Sequence, residues 1–305
     1  MLDLQRLRAL YAVSVHGTVG AAAVSLGYTP SAVSQQIAKL ERETRTVLLE
    51  RQGRGIRLTD EAQVLVAAAA KELLSIVEQA ETELEERRGE PTGRLTIAAF
   101  ASAARGLMPG VLADLAVRHP TLDTRLTEVD PHESVDLVAK GALDMAVAHD
   151  WDIAPLPAPP GVEQARIGDD TCDLLVPRSH RLSERGSVRR EEFAGEKWVC
   201  QPPGRVCHDW LMGTLRAAGI EPEITHLADE NPTLVALVEA GLGIALIPRL
   251  GRGALPDGVV AIPLDPIPVR HLYALWRTGA ARRPAIAEMV RTLQEHWPRA
   301  ARGST

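Results

Sequence analysis

Between Asp60 and Arg88 the chain runs without a glycine or a proline and is rich in alanine and glutamate. At about 1.5 Å per residue such a stretch forms a helix of roughly 40 Å. Ala62, Val66, Ala69, Leu73, Ile76, Ala80 and Leu84 recur at steps of three and four, alternating up to Ala80, the spacing of a coiled-coil seam. A helix packed only on its own chain would leave most of that length without a partner. The seam therefore predicts a dimer, with Ala62, Val66, Leu73, Ile76 and Ala80 at the contact. Gly89, Pro91 and Gly93 then break the helix. The chain divides accordingly into residues 1–59, the helix 60–88 and a body from 89 to 305.

The first part contains two helices joined by a tight turn over residues 18–41. Val19, Ala22, Ala23 and Leu26 form one apolar face, and Gly27 supplies the left-handed residue that ends a helix. Thr29 is a natural N-cap and Pro30 suits the first helical position. Val33, Ile37 and Leu40 point inward, which leaves Ser31, Ser34, Gln35 and Lys39 on the opposite face. Serine and glutamine read base edges in a DNA groove, and lysine suits phosphate. An ordinary helical hairpin with a solvated polar face would show the same spacing.

Charge separates the two readings. Through Leu58 eight basic residues face four acidic ones, so this end carries +4; the whole chain carries −6, which leaves −10 on the remainder. A basic module on an acidic body fits a separate DNA-binding domain. Arg51, Arg54 and Arg57 flank Gly53 and Gly55, the composition of a short two-stranded wing with arginines near phosphates or the minor groove. Double-stranded DNA is the expected partner, contacted by Thr29, Pro30, Ser31, Ser34, Gln35, Lys39, Arg51, Arg54 and Arg57.

Residues 1–62 resemble the winged helix-turn-helix of LysR-type transcriptional regulators. The resemblance is carried by Leu4, Leu7, Leu10, Ala12, Val13, Gly17, Thr18, Ala22, Ala23, Leu26, Pro30, Ala32, Val33, Ser34, Ile37, Leu40, Glu41, Leu48, Arg51, Leu58 and Thr59. Leu49 stands where the family has Phe, one core hydrophobe for another. Gln63 replaces a glycine at the start of a helix, where it is the better helix former. The resemblance implies that the helix 60–88 is the linker that pairs two subunits, and that dimers or tetramers form.

After Gly93 strands alternate with helices. Residues 94–100, 124–129 and 143–148 read as strands, 107–118 and 132–140 as helices, a βαβαβ unit with a parallel sheet. Residues 155–161 are proline-rich and read as a crossing segment. A second set follows, with strands at 164–167, 172–176, 197–199, 224–227 and 244–247, and helices at 205–218 and 233–240. Strand 269–276 and helix 285–296 return to the first set. The expected fold is a largely helical winged helix-turn-helix, a long linker helix, and an α/β effector domain of two Rossmann-like subdomains. Subdomain I covers about 93–158 and 269–305, and subdomain II about 162–268. This body resembles the effector-binding domain of the same family, which shares its architecture with periplasmic solute-binding proteins; the clearest match is residues 234–248, LVALVEAGLGIALIP.

Ligands of open α/β sheets bind beyond the carboxyl ends of strands. Ser102 and Ala103 follow the first strand of the body, while Asp130 and His149 end the next two. Gln201, Pro202, Gly204 and Arg205 form a loop between strand and helix, and Asn231 opens the helix before the glycine turn. These residues are the candidates for a small-molecule effector. A carboxylate is favoured by family habit and Arg205, a hydrophobic ligand by the rigid Pro202–Pro203 pair.

The chain lacks a G-x-S-x-G elbow, a G-x-x-x-x-G-K-[ST] phosphate loop and an H-E-x-x-H pair, so no enzyme, cofactor or metal is expected. Three cysteines make no disulfide framework, and no apolar run approaches a membrane span, which predicts a cytoplasmic protein. Cys207 begins a helix, where a thiol's pKa can fall. Peroxide-sensing members of the family carry a reactive cysteine near here, with a resolving cysteine downstream; this chain has Leu215 and Arg216 there, and only Cys200, upstream, could pair. A structural thiol is the expected reading, and redox sensing the alternative. A second alternative is a cytoplasmic small-molecule-binding protein that does not read DNA.

Leu73 lies mid-seam, and a lysine there would bury one unpartnered charge from each chain of a dimer. Leu73→Lys is expected to keep near-native circular dichroism while sedimentation shifts to smaller species and tight operator binding is lost. A mutant that stays dimeric and binds operator as tightly as the parent removes the seam from this helix.

Overall fold

A computed structural model of the chain describes residues 3–52 and 55–302. Two compact units make up the molecule, one formed mainly by residues up to Arg87 and the other by residues from Arg88 on.

The first unit opens with helices α1 (Leu4–His16), α2 (Val19–Leu26) and α3 (Pro30–Thr44). Each begins at a side-chain cap: Asp3 accepts from the N–H groups of Gln5 and Arg6, Thr18 from Ala21, and Thr29 from Ala32 at 3.2 Å. Gly27, at φ 69°, closes α2 in the left-handed conformation expected from the sequence. Ala9, Ala12, Val13, Ala22, Ala23, Val33 and Ile37 form the core, and its alanines let the helices approach closely. Strands β1 (Leu49–Gln52) and β2 (Gly55–Leu58) pair antiparallel, Leu49 opposite Leu58, as a wing. The Glu41 carboxylate accepts from the N–H of Leu48 at 2.9 Å and so ties α3 to the start of that wing.

Helix α4 (Asp60–Arg88) follows as the composition predicts. Its first turn serves the module's own core: Ala62 is fully buried with Leu10, Leu40 and Leu48, and Val66 packs on the same cluster. Ala80 is exposed. Leu73 and Ile76 fall on a stretch whose side chains lie outside the described residues, as do Arg54 and the side chain of Arg51.

The second unit begins with β3 (Gly93–Ala99), α5 (Ala101–Gly106), α6 (Met108–Arg118), β4 (Leu122–Glu128), α7 (Pro131–Ala139) and β5 (Met145–Trp151). Next come β6 (Val162–Pro177), β7 (Lys197–Cys200), α8 (Val206–Ala217), β8 (Glu223–Leu227), α9 (Asn231–Glu239) and β9 (Ala245–Pro248). Strands β10 (Val259–Pro263) and β11 (Val269–Arg277) and helix α10 (Pro284–Arg302) complete it. The main sheet has the order β10-β6-β11-β5-β3-β4, with β9 also on β6. As expected, β3 is parallel to β4 and β5, whereas the returning β11 is antiparallel to β5 and β6.

Three features depart from the sequence reading. The two strands expected at 164–167 and 172–176 are one strand, β6, whose first half pairs with β11 and whose second half pairs with β9 and β10. The Gly168–Thr171 segment between them stays in the sheet, with a register shift opposite Leu272 and Tyr273. Strand β10, which carries proline at its end, was absent from that reading, and the helix expected from Leu107 is preceded by the short α5. One hydrophobic core lies around Leu95, Ile97, Met108, Met145, Leu272 and Met289, where α10 returns to β3, β5 and α6; another gathers Trp151, Leu174, Phe193, Trp198 and Trp210.

Gly168, beside the register shift, makes room for α10. A Cβ there would lie 1.9 Å from Nε1 of Trp297 on α10, an impossible distance. Gly168→Ala is expected to destabilise the second unit by about 1–3 kcal/mol through overpacking. Differential scanning calorimetry of the full chain should show its transition at lower temperature; an unchanged transition would mean that α10 does not pack on this strand.

Candidate DNA-reading face and effector cleft

Helix α3 buries Val33, Ile37 and Leu40, and this fixes what its other side presents. Thr29, Pro30, Ser31, Ser34, Gln35 and Lys39 are all exposed. Thr29 caps the helix and its hydroxyl also lies 3.0 Å from that of Ser31, so the first turn is held in one geometry. Arg57 stands on the wing opposite Glu50, its guanidinium 3.3 Å from that carboxylate and largely in solvent. An exposed pair of this kind is weak, about 0–1 kcal/mol, so Glu50 holds Arg57 only loosely.

In the second unit, the carboxyl ends of β3, β4 and β5 converge on one cleft of about 240 Å³. Phe100 and Ser102 follow β3, Asp130 follows β4, and His149 lies on β5; the facing wall brings Gln201, Arg205, Cys207 and Asn231. Arg205 spans the opening: its Nε donates to Asp229 at 2.9 Å, and an Nη1 lies 4.0 Å from Asp130. The Gln201 amide donates to the Asp229 carbonyl at 2.9 Å. Burial raises the Asp130 carboxyl above its ordinary range, against the N–H of His132 and the charge of Arg205.

The floor is built around His149 and Arg270. His149 is 3% exposed, packs edge-on against Phe100 at 4.5 Å, and has no hydrogen-bond partner on Nδ1. Burial, with Arg270 nearby, holds its imidazole well below the usual pKa, so it is neutral. Arg270 Nη2 donates to Ser102 Oγ at 3.0 Å and to Asp170 Oδ2 at 2.7 Å, and the guanidinium lies 4.9 Å above the Phe100 ring. Cys207 lines the same floor, and burial pushes its thiol up. Cys200 is pushed up to about 11 by burial, and Cys172 is fully buried.

Of the residues singled out from sequence, Ser102, Asp130, His149, Gln201, Arg205 and Asn231 meet in this cleft. Ala103 does not: it is buried in the core, with its N–H bonded to the Phe100 carbonyl at 2.9 Å. The Ser102 hydroxyl accepts from Arg270, and α5, which it lies in, is only six residues long. Pro202 and Gly204 lie off the lining. Sequence reasoning missed Phe100, Arg270 and Asp170. Arg270 alternates with the buried Leu272 and Ala274 along β11, and an arginine in that apolar register was the available signal. Four carboxylates, those of Glu128, Asp130, Glu133 and Asp229, line the cleft against Arg205 and Arg270.

Comparison with known proteins agrees with both halves. A family model described as "Bacterial regulatory helix-turn-helix protein, lysR family" matches residues 4–63, and one described as "LysR substrate binding domain" matches residues 88–298. A probable hydrogen peroxide-inducible genes activator of Streptomyces viridosporus is 30% identical over 301 residues, 96% of this chain and 94% of that protein. The regulator TtuA of Agrobacterium vitis is 28% identical over 269 residues, 86% of each. Among solved structures, a full-length OxyR variant from Pseudomonas aeruginosa superposes with a TM-score of 0.74 at 22% identity, covering 96% of this chain and 95% of that one. Full-length CbnR complexed with its target DNA gives 0.59 at 22% identity, covering 97% and 100%. At those identities the structures attest the fold, while the family models span both functional parts, and this chain belongs to the LysR-type transcriptional regulators.

Proposed function

We propose that this regulator reads operator DNA with Ser31, Ser34 and Gln35 of α3, anchors on phosphate through Lys39 and the wing arginines, and takes its effector in the His149 cleft. The observation that carries the DNA assignment is the fully exposed polar face of α3, presented by a helix whose opposite side is locked into the core. The effector assignment rests on His149 Nδ1, a buried group without a partner on the wall of a cavity. Such a group costs about 1–3 kcal/mol, which a ligand's polar atom would recover. The acidic lining favours a small polar effector that is neutral or carries a hydrogen-bond donor over a carboxylate. The protein acts by binding alone, as a homodimer or tetramer through α4, in the cytoplasm where its DNA lies. No single helix among the described residues is long and apolar enough to cross a membrane.

Redox sensing is a second reading, supported by the position of Cys207 in the cleft and by the peroxide-linked names of some relatives. The raised thiol pKa speaks against it, because the thiolate is the reactive form. Mass spectrometry after brief peroxide treatment decides: an unmodified Cys207 leaves the effector reading, and rapid oxidation of Cys207 favours the second.

Ser34→Ala and Gln35→Ala are each expected to weaken operator binding by about 1–3 kcal/mol while random-sequence DNA is bound nearly as before. Equal losses on both would sink the base-reading role. Arg57→Ala is expected to weaken binding to all sequences and to lower the salt slope by about one unit; an unchanged slope would remove that arginine from the phosphate contacts. His149→Phe should keep or raise the melting temperature of the free protein, because an unpaired buried polar group is removed. A metabolite found by thermal shift stabilises the parent by about 2.7 kcal/mol at a hundredfold excess over its Kd, and the variant should lose that shift. A full shift in the variant would move the effector elsewhere.

A further inference from the structure

A second cleft of about 500 Å³ lies in the same unit, lined by the end of α5, the loop after β9 and the last turns of α10. Its charged and titratable lining consists of Arg105, Arg252, Arg299 and His296, and among the described residues no acidic side chain joins them. This composition is unexpected, since the chain beyond Leu58 carries a net −10 and the effector cleft is lined by four carboxylates. Cations of one sign gathered around a concavity repel one another unless an anion sits among them.

The individual side chains support an absent anion. Arg252 is 8% exposed; its Nη1 donates to Asp173 at 2.7 Å, yet its buried Nε has no partner. Arg105 uses its Nε on the Gly251 carbonyl and has no carboxylate partner among the described residues. Arg299 is exposed and has no ion pair among the described residues. His296 is held by Asp114 at 2.9 Å, behind the lining.

The wall is also built for close approach. A Cβ on Gly251, which sits at φ +66°, would lie 2.4 Å from the Ser102 carbonyl, and one on Gly106 would lie 2.7 Å from the Gly251 backbone. Side-chain-free backbone at both places brings the arginine-bearing loop against α5. The residue before that loop, Leu250, donates its N–H to Asp170 at 3.1 Å, so the loop is anchored on the Asp170–Arg270 pair under the effector cleft.

From this geometry we infer a second ligand site, separate from the effector cleft, for a small polyvalent oxyanion. Three arginines from three different elements suit a molecule bearing at least two anionic groups, because guanidinium groups bind carboxylate and phosphate by paired N–H donors. Tricarboxylates and phosphate compounds share that chemistry.

Isothermal titration of the full chain at fixed ionic strength tests the site, with citrate and pyrophosphate as probes and acetate as the monovalent control. Saturable binding of citrate, pyrophosphate or both is expected, at least tenfold tighter than acetate. Binding of one probe alone identifies the carboxylate or the phosphate source. Arg105→Ala combined with Arg299→Ala changes two exposed residues away from the cores, and should weaken binding at least tenfold with an unchanged melting temperature. Arg299→Lys, which keeps the charge and loses the paired donors, should bind more weakly than the parent, and parental affinity would overturn the paired-donor contact. Arg57→Ala, on the wing, should leave the affinity unchanged. Lack of saturation with either probe overturns the site, as does wild-type affinity in the double variant. Loss in Arg57→Ala alone would place the anion on the DNA-binding module and equally overturn it.

Discussion

The second unit is organised around one buried ion pair. Arg270 and Asp170 are 2% and 5% exposed and lie 2.7 Å apart, on β11 and at the middle of β6. Taking two charges out of water is costly, and further hydrogen bonds offset part of that cost, although the buried Nε of Arg270 has no partner among the described residues. Asp170 also accepts from the N–H groups of Thr171 and Leu250, while Arg270 donates to Ser102 and covers the Phe100 ring. One interaction thereby joins the returning strand, the start of α5, the long strand β6 and the loop after β9. Removing either partner would strand the other charge, at a cost of about 3–5 kcal/mol.

That pair also shapes the cleft lined by His149. With Arg270 fixed, Phe100 and Ser102 are fixed, and the neutral imidazole of His149 is left against them with Nδ1 unused. The opposite wall is organised separately, around Trp210 of α8, which stacks on Trp151 of β5 at 4.0 Å. Arg205 then reaches from that wall to Asp130 and Asp229. Arg205 and its carboxylate partners thus face the His149 floor across the cleft.

The first unit follows simpler rules. Its three helices are capped at each start by a residue visible in the sequence, and alanines bring them into contact. Glu41, accepting from the N–H of Leu48, and Thr59, whose hydroxyl donates to the Val47 carbonyl at 2.9 Å, fix the wing's origin. The exposed face of α3 is set in orientation because the side behind it, Val33, Ile37 and Leu40, is core.

Local chemistry was therefore legible wherever neighbours in sequence are also neighbours in space. Thr29, Pro30, Gly27 and the inward triplet of Val33, Ile37 and Leu40 determined α3 and its exposed face, and the breaker-free run from Asp60 determined α4. The strand-end rule found Asp130 and His149, because parallel strands put their carboxyl ends on one side whatever the connections. What local pattern could not show was the buried charge. Gly168–Thr171 carries two aspartates and a glycine, which separates two strands on any local criterion; it stays within β6 only because Asp170 meets an arginine a hundred positions later and Gly168 makes room for Trp297. Ala103, read as a ligand contact from its place after β3, is turned into the core once α5 starts there. The sequence by itself determined α2, α3 and α4, the Thr29 and Gly27 caps and the alternation of strands and helices after Gly93, since those depend on contacts within a few residues. The tertiary structure decided which polar groups are buried and which remain unpaired, since desolvation depends on everything packed around a group and not on its neighbours in the chain.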